Sequence, residues 1–239
     1  YRPLLSQQLG VFSTKLIDHD TVYEFLQHIP KKFKLVEITL NKYNTVRDSE
    51  FESSQHVSCE LDLIADYTSL FSAYNQNTKR NLKKIGQNSL VYDTDVQAED
   101  FLALMWEDSS AGSAILLQTD HQILLQTLLK HLKQHQAGRI MGARNPGGKL
   151  IAAVLFGFRH NKWYYLAPVN SDLGRENKAL FGLIDTLIQE QSGGAITLDF
   201  EGSDIQGVAR FYQGFGANPY HYSFIRRNNL PWPIRLFKG

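Results

Sequence analysis

The sequence predicts an α/β (α+β) fold with a mixed central sheet flanked by helices, and three observations carry that expectation. First, β-prone runs at 139–144, 150–158 and 163–168 are separated by the turn signals Asn145-Pro146-Gly147-Gly148 and His160-Asn161-Lys162, the pattern of an antiparallel meander. Second, residues 175–191 carry Leu180, Leu183, Ile184, Leu187 and Ile188 at helical spacing and stop at Gly193-Gly194, after which the apolar run 195–200 begins. Third, strands joined by a crossover helix pair in parallel, so 163–168 and 195–200 are expected as parallel neighbours.

Length and composition set the outer bounds. At 239 residues the chain can bury one sizeable core or two modest ones, and 43% apolar with 21% charged residues marks an ordinary folded protein. Lys and Arg (25) balance Asp and Glu (24), so bulk charge gives no reason to expect nucleic acid or an anionic membrane as the main partner, and any basic site is local. One cysteine, Cys59, forms no internal disulfide, and no Cys/His cluster has metal-ligand spacing, so no metal is expected and a cytoplasmic setting fits. No apolar run approaches the ~20 residues of a membrane span, and no charged-then-apolar leader is present. The chain opens on Tyr1-Arg2-Pro3-Leu4-Leu5 in place of a methionine, and an upstream segment is expected.

The remaining elements follow in order. Residues 1–13 read as strand-like, 20–28 as a helix closed by Pro30, and 35–40 and 56–63 as strands. From 66 to 87 the apolar positions Tyr67, Leu70, Phe71, Tyr74, Leu82 and Ile85 predict one amphipathic helix, with Lys79, Arg80, Lys83 and Lys84 on its solvated face. Residues 89–93 read as a strand and 98–107 as a helix. A further helix is predicted at 119–136, capped by Thr119 or Asp120 and carrying Leu125, Leu128, Leu129 and Leu132 on one face. Val208, Phe211, Tyr212 and Phe215 mark a short helix closed by Gly216, and 220–225 is the last strand.

From residue 89 onward this order resembles the GNAT acyltransferase plan. The turn Ser171-Asp172-Leu173-Gly174-Arg175-Glu176 is similar to the family's phosphate-binding turn at the start of the helix after the meander, where unpartnered N–H groups favour an anion. Ser171 stands where the family has Gln or Arg, and Glu176 where it has a small residue. The segment Phe211-Tyr212-Gln213-Gly214-Phe215-Gly216 resembles the family's Tyr-x-x-x-Gly-Phe ending, in which the tyrosine protonates the departing thiolate. Within the superfamily, Lys79-Arg80-Asn81-Leu82-Lys83-Lys84, Leu198-Asp199-Phe200-Glu201-Gly202 and the Phe211 segment are together similar to the Fem-type peptidoglycan-bridge aminoacyltransferases, bacterial proteins with tandem GNAT-like units.

That resemblance implies a partial GNAT-like unit at 1–65, a connecting basic amphipathic helix at 66–88, and a GNAT-like acyltransferase domain at 89–239. It implies an N-acyltransferase that moves an acyl group from acetyl-CoA or another acyl-CoA, as cosubstrate, to a small amine or peptide-like acceptor. Tyr212 is the candidate acid, with Glu201 or Asp199 as the base or acceptor-binding carboxylate. Leu166 and Ala167 are the candidate oxyanion strand, and Ser171, Leu173, Gly174 and Arg175 the candidate donor turn. Tyr212 also shares a helical face with Val208 and Phe215, the spacing of a core residue. Two alternatives stay open: a Fem-like enzyme using aminoacyl-tRNA, and a non-catalytic binding relative. Fem-type enzymes commonly carry lysine where Tyr212 stands.

Other chemistries lack their residues. Gly142-Ala143-Arg144-Asn145-Pro146-Gly147-Gly148-Lys149 has its lysine one place late for a P-loop and is followed by Leu150, so it reads as a hairpin turn. His131-Leu132-Lys133-Gln134-His135 lacks the metalloprotease glutamate, and no Gly-x-Ser-x-Gly elbow is present.

Overall fold

The computed structural model describes residues 5–46, 51–108, 110, 116, 118–202 and 204–237. The expectations placed on residues 1–4, including the upstream segment, lie outside them. The chain divides into two compact units. One comprises Tyr1–Ser58, Gly202–Ile205 and Pro219–Gly239, and the other Cys59–Glu201 and Gln206–Asn218.

The first unit contains α1 (His19–Gln27), β1 (Leu35–Thr39), the opening of β2 (Glu52–Asp62), nearly all of β8 (Asn218–Asn228) and α9 (Ile234–Phe237), with strand order β1-β8-β2. Asp18 caps α1 by accepting the Thr21 N–H at 2.8 Å, and Val22 and Leu26 turn its apolar face onto Val36, Leu40, Phe51 and Ile225. Of the strand-like start predicted for 1–13, the described residues keep a single bridge, Leu9 to Leu40.

The second unit is built on the strand order β2-β7-β6-β5-β4-β3, comprising the end of β2, β3 (Val91–Asp93), β4 (Gly138–Arg144), β5 (Leu150–Arg159), β6 (Lys162–Asn170) and β7 (Thr197–Asp199). The pairs β3·β4, β4·β5, β5·β6 and β2·β7 are antiparallel, and β6·β7 is parallel through Lys162↔Thr197, Trp163↔Leu198 and Tyr164↔Asp199. The mixed sheet and the parallel neighbours are as the crossover rule requires. Leu150 to Gly157 are buried without alternation, because the sheet is covered on both faces. Helices α4 (Ala98–Glu107) and α7 (Ala179–Gln191) both pack on β5.

Three predicted helices differ in detail. The stretch 66–87 is not one helix but α2 (Tyr67–Ala73) and α3 (Gln76–Ile85). Tyr74 is extended, and Asn75 starts a new N-cap by accepting the Thr78 N–H at 2.8 Å, a local bond that competes with continuing the helix. Likewise 175–191 splits into α6 (Asp172–Glu176) and α7, parted by Lys178 in the left-handed region at φ +57°. Helix α5 (Thr119–Gln134) has Gln118 as N-cap with no side-chain cap bond; the expected caps Thr119 and Asp120 lie inside the helix, their side chains outside the description.

Candidate functional site

The first feature of the second unit is a strand that outlasts its neighbour. Strand β7 ends at Asp199, opposite Tyr164, while β6 continues to Asn170, so the β6 edge from Tyr165 onward has no β7 partner. Within that stretch β6 carries a bulge. Phe156 pairs with Tyr165 and its neighbour Leu155 pairs with Ala167, leaving Leu166 as the extra residue. Paired residues share a sheet face, so Tyr165 and Ala167 point to opposite faces although they are two apart. Accordingly Trp163 and Tyr165 join the core cluster beneath α7, whereas the buried Ala167 and Val169 do not. The candidate oxyanion residues Leu166 and Ala167 thus sit at the bulge, where the backbone is re-aimed.

Beside this edge stands Tyr212, on α8 (Gln206–Gln213). Its ring stacks on Phe200 at 4.5 Å and 22° and meets Tyr165 edge-on at 5.7 Å, and it is 6% exposed. Burial, with Cys59 as a lesser cause, pushes the phenol above its ordinary value. A tyrosine so placed stays protonated across the physiological range and can donate a hydrogen bond.

The two carboxylates predicted beside it differ. Asp199 is wholly buried and ion-paired to Lys162 Nζ at 3.2 Å, and the same ammonium lies 3.4 Å from Glu60. Burial lowers the Lys162 pKa, but Asp199 and Glu60 outweigh it and the net shift is upward. Asp199 Oδ1 also accepts the Glu201 N–H at 3.1 Å. Glu201 is half-buried and lies beyond the strand at φ +46°, so the strand alternation expected to put it on the Asp199 face does not reach it.

The turn after β6 is a hydrogen-bonded cluster in which one buried atom, Asn170 Oδ1, has no hydrogen-bond partner among the described residues. Ser171 Oγ caps α6 by accepting the Gly174 N–H at 3.2 Å and donates to the Ile151 carbonyl at 2.8 Å. A Cβ on Gly174 would fall 2.3 Å from the Ile151 oxygen and 2.2 Å from Asn170 Oδ1, so glycine is required for packing alone. Arg175 meets Asp108 at 3.0 Å and Asp172 at 2.7 Å. Asp108 also accepts the Asn170 N–H at 3.0 Å. Leu173 is 39% exposed at the surface of the turn.

Sequence reasoning did not single out Lys162, Glu60 or Asp108, whose partners are distant in the chain. It also missed a groove of about 430 Å³ whose wall includes Phe181, Arg210, Phe211, the α3 cap Asn75 and the α3 residue Asn77. Arg210 is exposed there. Its signal was legible: on α8, Arg210 falls outside the apolar face of Val208, Phe211 and Phe215.

No protein-family model matches the chain, and no curated protein matches it. Solved structures do. The crystal structure of FemX superimposes with a TM-score of 0.61 at 12% identity, over 93% of this chain and 72% of that one. A conserved protein of unknown function from Bacteroides thetaiotaomicron VPI-5482 gives 0.57 at 8% identity, over 87% of this chain and 66% of that one. L-PGS from Bacillus licheniformis gives 0.56 at 12% identity, over 91% and 75%. At such identities the likeness is one of fold alone: the chain shares the fold of FemX.

Proposed function

We propose that the second unit transfers an acyl group from acyl-CoA, acetyl-CoA in the first instance, to the amine of a small or peptide-like acceptor. The observation that carries this reading is the edge of β6 left open by the end of β7, with the bulge at Leu166 beside it. An open strand edge offers backbone hydrogen bonds to the amides of a pantetheine arm, and a bulge turns an N–H toward the carbonyl oxygen on which charge develops. Leu166, the extra residue of the bulge, supplies that N–H, because Ala167 is paired with Leu155 of β5 and Pro168 has no N–H.

The amine adds to the thioester carbonyl, the carbon–sulfur bond breaks, and the thiolate takes a proton. Tyr212 is the donor of that proton. Its raised pKa makes full transfer uphill, so its main contribution is a hydrogen bond that strengthens as charge reaches the sulfur. Glu201, half-buried just past β7, is the acceptor-side carboxylate, and Asp199, paired with Lys162, positions the end of β7. At the donor turn, Ser171, Leu173 and Gly174 offer backbone and cap, while the charge of Arg175 is already met by Asp108 and Asp172.

The test is calorimetric titration with acetyl-CoA, together with melting at high ligand concentration. Saturable binding that raises the Tm supports the reading. Neither heat nor a raised Tm overturns it.

One observation favours a second reading. Arg80, Lys83 and Lys84 are exposed on α3, and the fold likeness to FemX extends over 93% of the chain. An aminoacyl-tRNA donor would engage such a face through its phosphates. Salt-dependent tRNA retention lost in a Lys83→Ala, Lys84→Ala double variant selects this reading, and no retention at low salt removes it. Turnover of any acyl donor that Tyr212→Phe diminishes eliminates a purely binding role.

A further inference from the structure

The first unit holds a cavity of about 270 Å³ walled by Gln7, Thr39, His56, Asp204, Tyr222 and Phe224. Every one of these residues belongs to that unit, and acyl transfer by the second unit uses none of them. On its wall the imidazole of His56 is held in position. Asp204 Oδ2 lies 2.6 Å from Nδ1, and Asp204 Oδ1 accepts the Val57 N–H at 3.0 Å. A carboxylate on Nδ1 keeps the proton there and leaves the lone pair on Nε2. Tyr222 stacks against the ring at 5.7 Å and 22°, and Phe224 meets it edge-on at 5.9 Å.

Nε2 has a hydroxyl in front of it. Ser54 Oγ lies 3.2 Å away, because residues two apart in β2 project from the same face. Ser54 is exposed and His56 half-buried, so an external molecule can reach both. Carboxylate, imidazole and hydroxyl therefore form one continuous hydrogen-bonded chain ending at an accessible oxygen, the arrangement by which a serine is activated whatever the order of its residues in sequence.

We propose that Ser54, His56 and Asp204 form a nucleophilic serine site that accepts the acyl group of small neutral esters. Ser54 Oγ adds to the ester carbonyl as its proton passes to His56 Nε2. The bond to the alcohol oxygen breaks, the alcohol leaves with that proton, and the acyl group stays on Ser54. Water then repeats the sequence, releasing the carboxylic acid and restoring the serine. Asp204 stays ionised throughout and stabilises the imidazolium. The groups around His56 set the substrate class: the Asp204 carboxylate disfavours an anionic acyl group, and the rings of Tyr222 and Phe224 against the imidazole suit a short apolar chain.

The same bonds would be present if Asp204 served only to latch its segment onto β2, so the test is reactivity. The full chain is treated with a small alkyl fluorophosphonate and its peptides are weighed, and p-nitrophenyl acetate hydrolysis is followed in parallel. The expected result is a phosphonyl adduct on Ser54, with hydrolysis falling about 100-fold or more in Ser54→Ala and in His56→Gln. Ser54→Ala removes one exposed hydroxyl and leaves the fold as it is, and Asp204→Asn gives a second, near-isosteric variant. A folded wild-type chain with no adduct on Ser54 overturns the proposal, as does an adduct that forms equally fast in His56→Gln or Asp204→Asn.

Discussion

Asp199 and Asp204 leave the same short stretch of chain, one at the end of β7 and the other just past Gly202, and enter opposite surroundings. Asp199 has 0% side-chain exposure and a lysine at 3.2 Å, whereas Asp204 has 52% and a histidine at 2.6 Å. A buried carboxylate must keep its cation, because an unpaired charge inside the protein is costly. An exposed one is solvated in any case, so its partner is free for chemistry. In the second unit Lys162 holds Asp199 inside the fold, and in the first Asp204 and His56 meet at the surface.

The largest expected effect attacks the closed pair. Lys162→Met should destabilise the protein by about 3–5 kcal/mol in urea unfolding, since Asp199 is left buried and uncompensated, while His56→Gln should cost less than about 1 kcal/mol. Equal losses would break the contrast.

Next comes the buried phenol. Tyr212→Phe keeps the ring on Phe200 and removes only the hydroxyl, so it should lower acyl transfer about 100-fold with the melting temperature little changed. A large fall in stability with no change in turnover would make Tyr212 a packing residue. Gly174→Ala should cost about 1–3 kcal/mol, because the added methyl meets the Ile151 carbonyl in the closed turn around Arg175. A neutral outcome would mean that this turn yields readily.

The smallest effects are opposite slopes with pH. Burial raises Asp204, but the Val57 N–H and His56 outweigh it and the folded value lies below 3.8. Its stabilisation is therefore present above 3.8 and lost as pH falls through the folded value. Asp185 goes the other way. Burial raises it, and the hydroxyls of Tyr74 and Tyr67, each donating at 3.0 Å, offset this only in part. The folded state then holds its proton more tightly, so its contribution is complete below 3.8 and declines as pH rises through the folded value. Unfolding free energies measured across acid pH should lose the first slope in Asp204→Asn and the second in Asp185→Asn.

Much of the second unit was legible because its signals are local. The meander announces itself through Asn145-Pro146-Gly147-Gly148, and α7 through the spacing of Leu183, Ile184, Leu187 and Ile188, all of them buried. The break at Asn75 has a local signal as well, a good cap residue inside an apolar period. The left-handed Lys178 had none, since nothing in a lysine announces a positive φ.

The sequence by itself determined the meander, the parallel crossover and the place of Tyr212 on a short helix, because these follow from period, turn chemistry and chain connectivity. Only the tertiary structure decided which charges meet. Lys162 finds Glu60 and Asp199, Arg175 finds Asp108, and His56 finds Asp204, each across a long separation in the chain. Sheet register and burial set those encounters, and neither is a property of any local stretch of residues. The same physics decides whether a carboxylate holds the fold together or remains free to act.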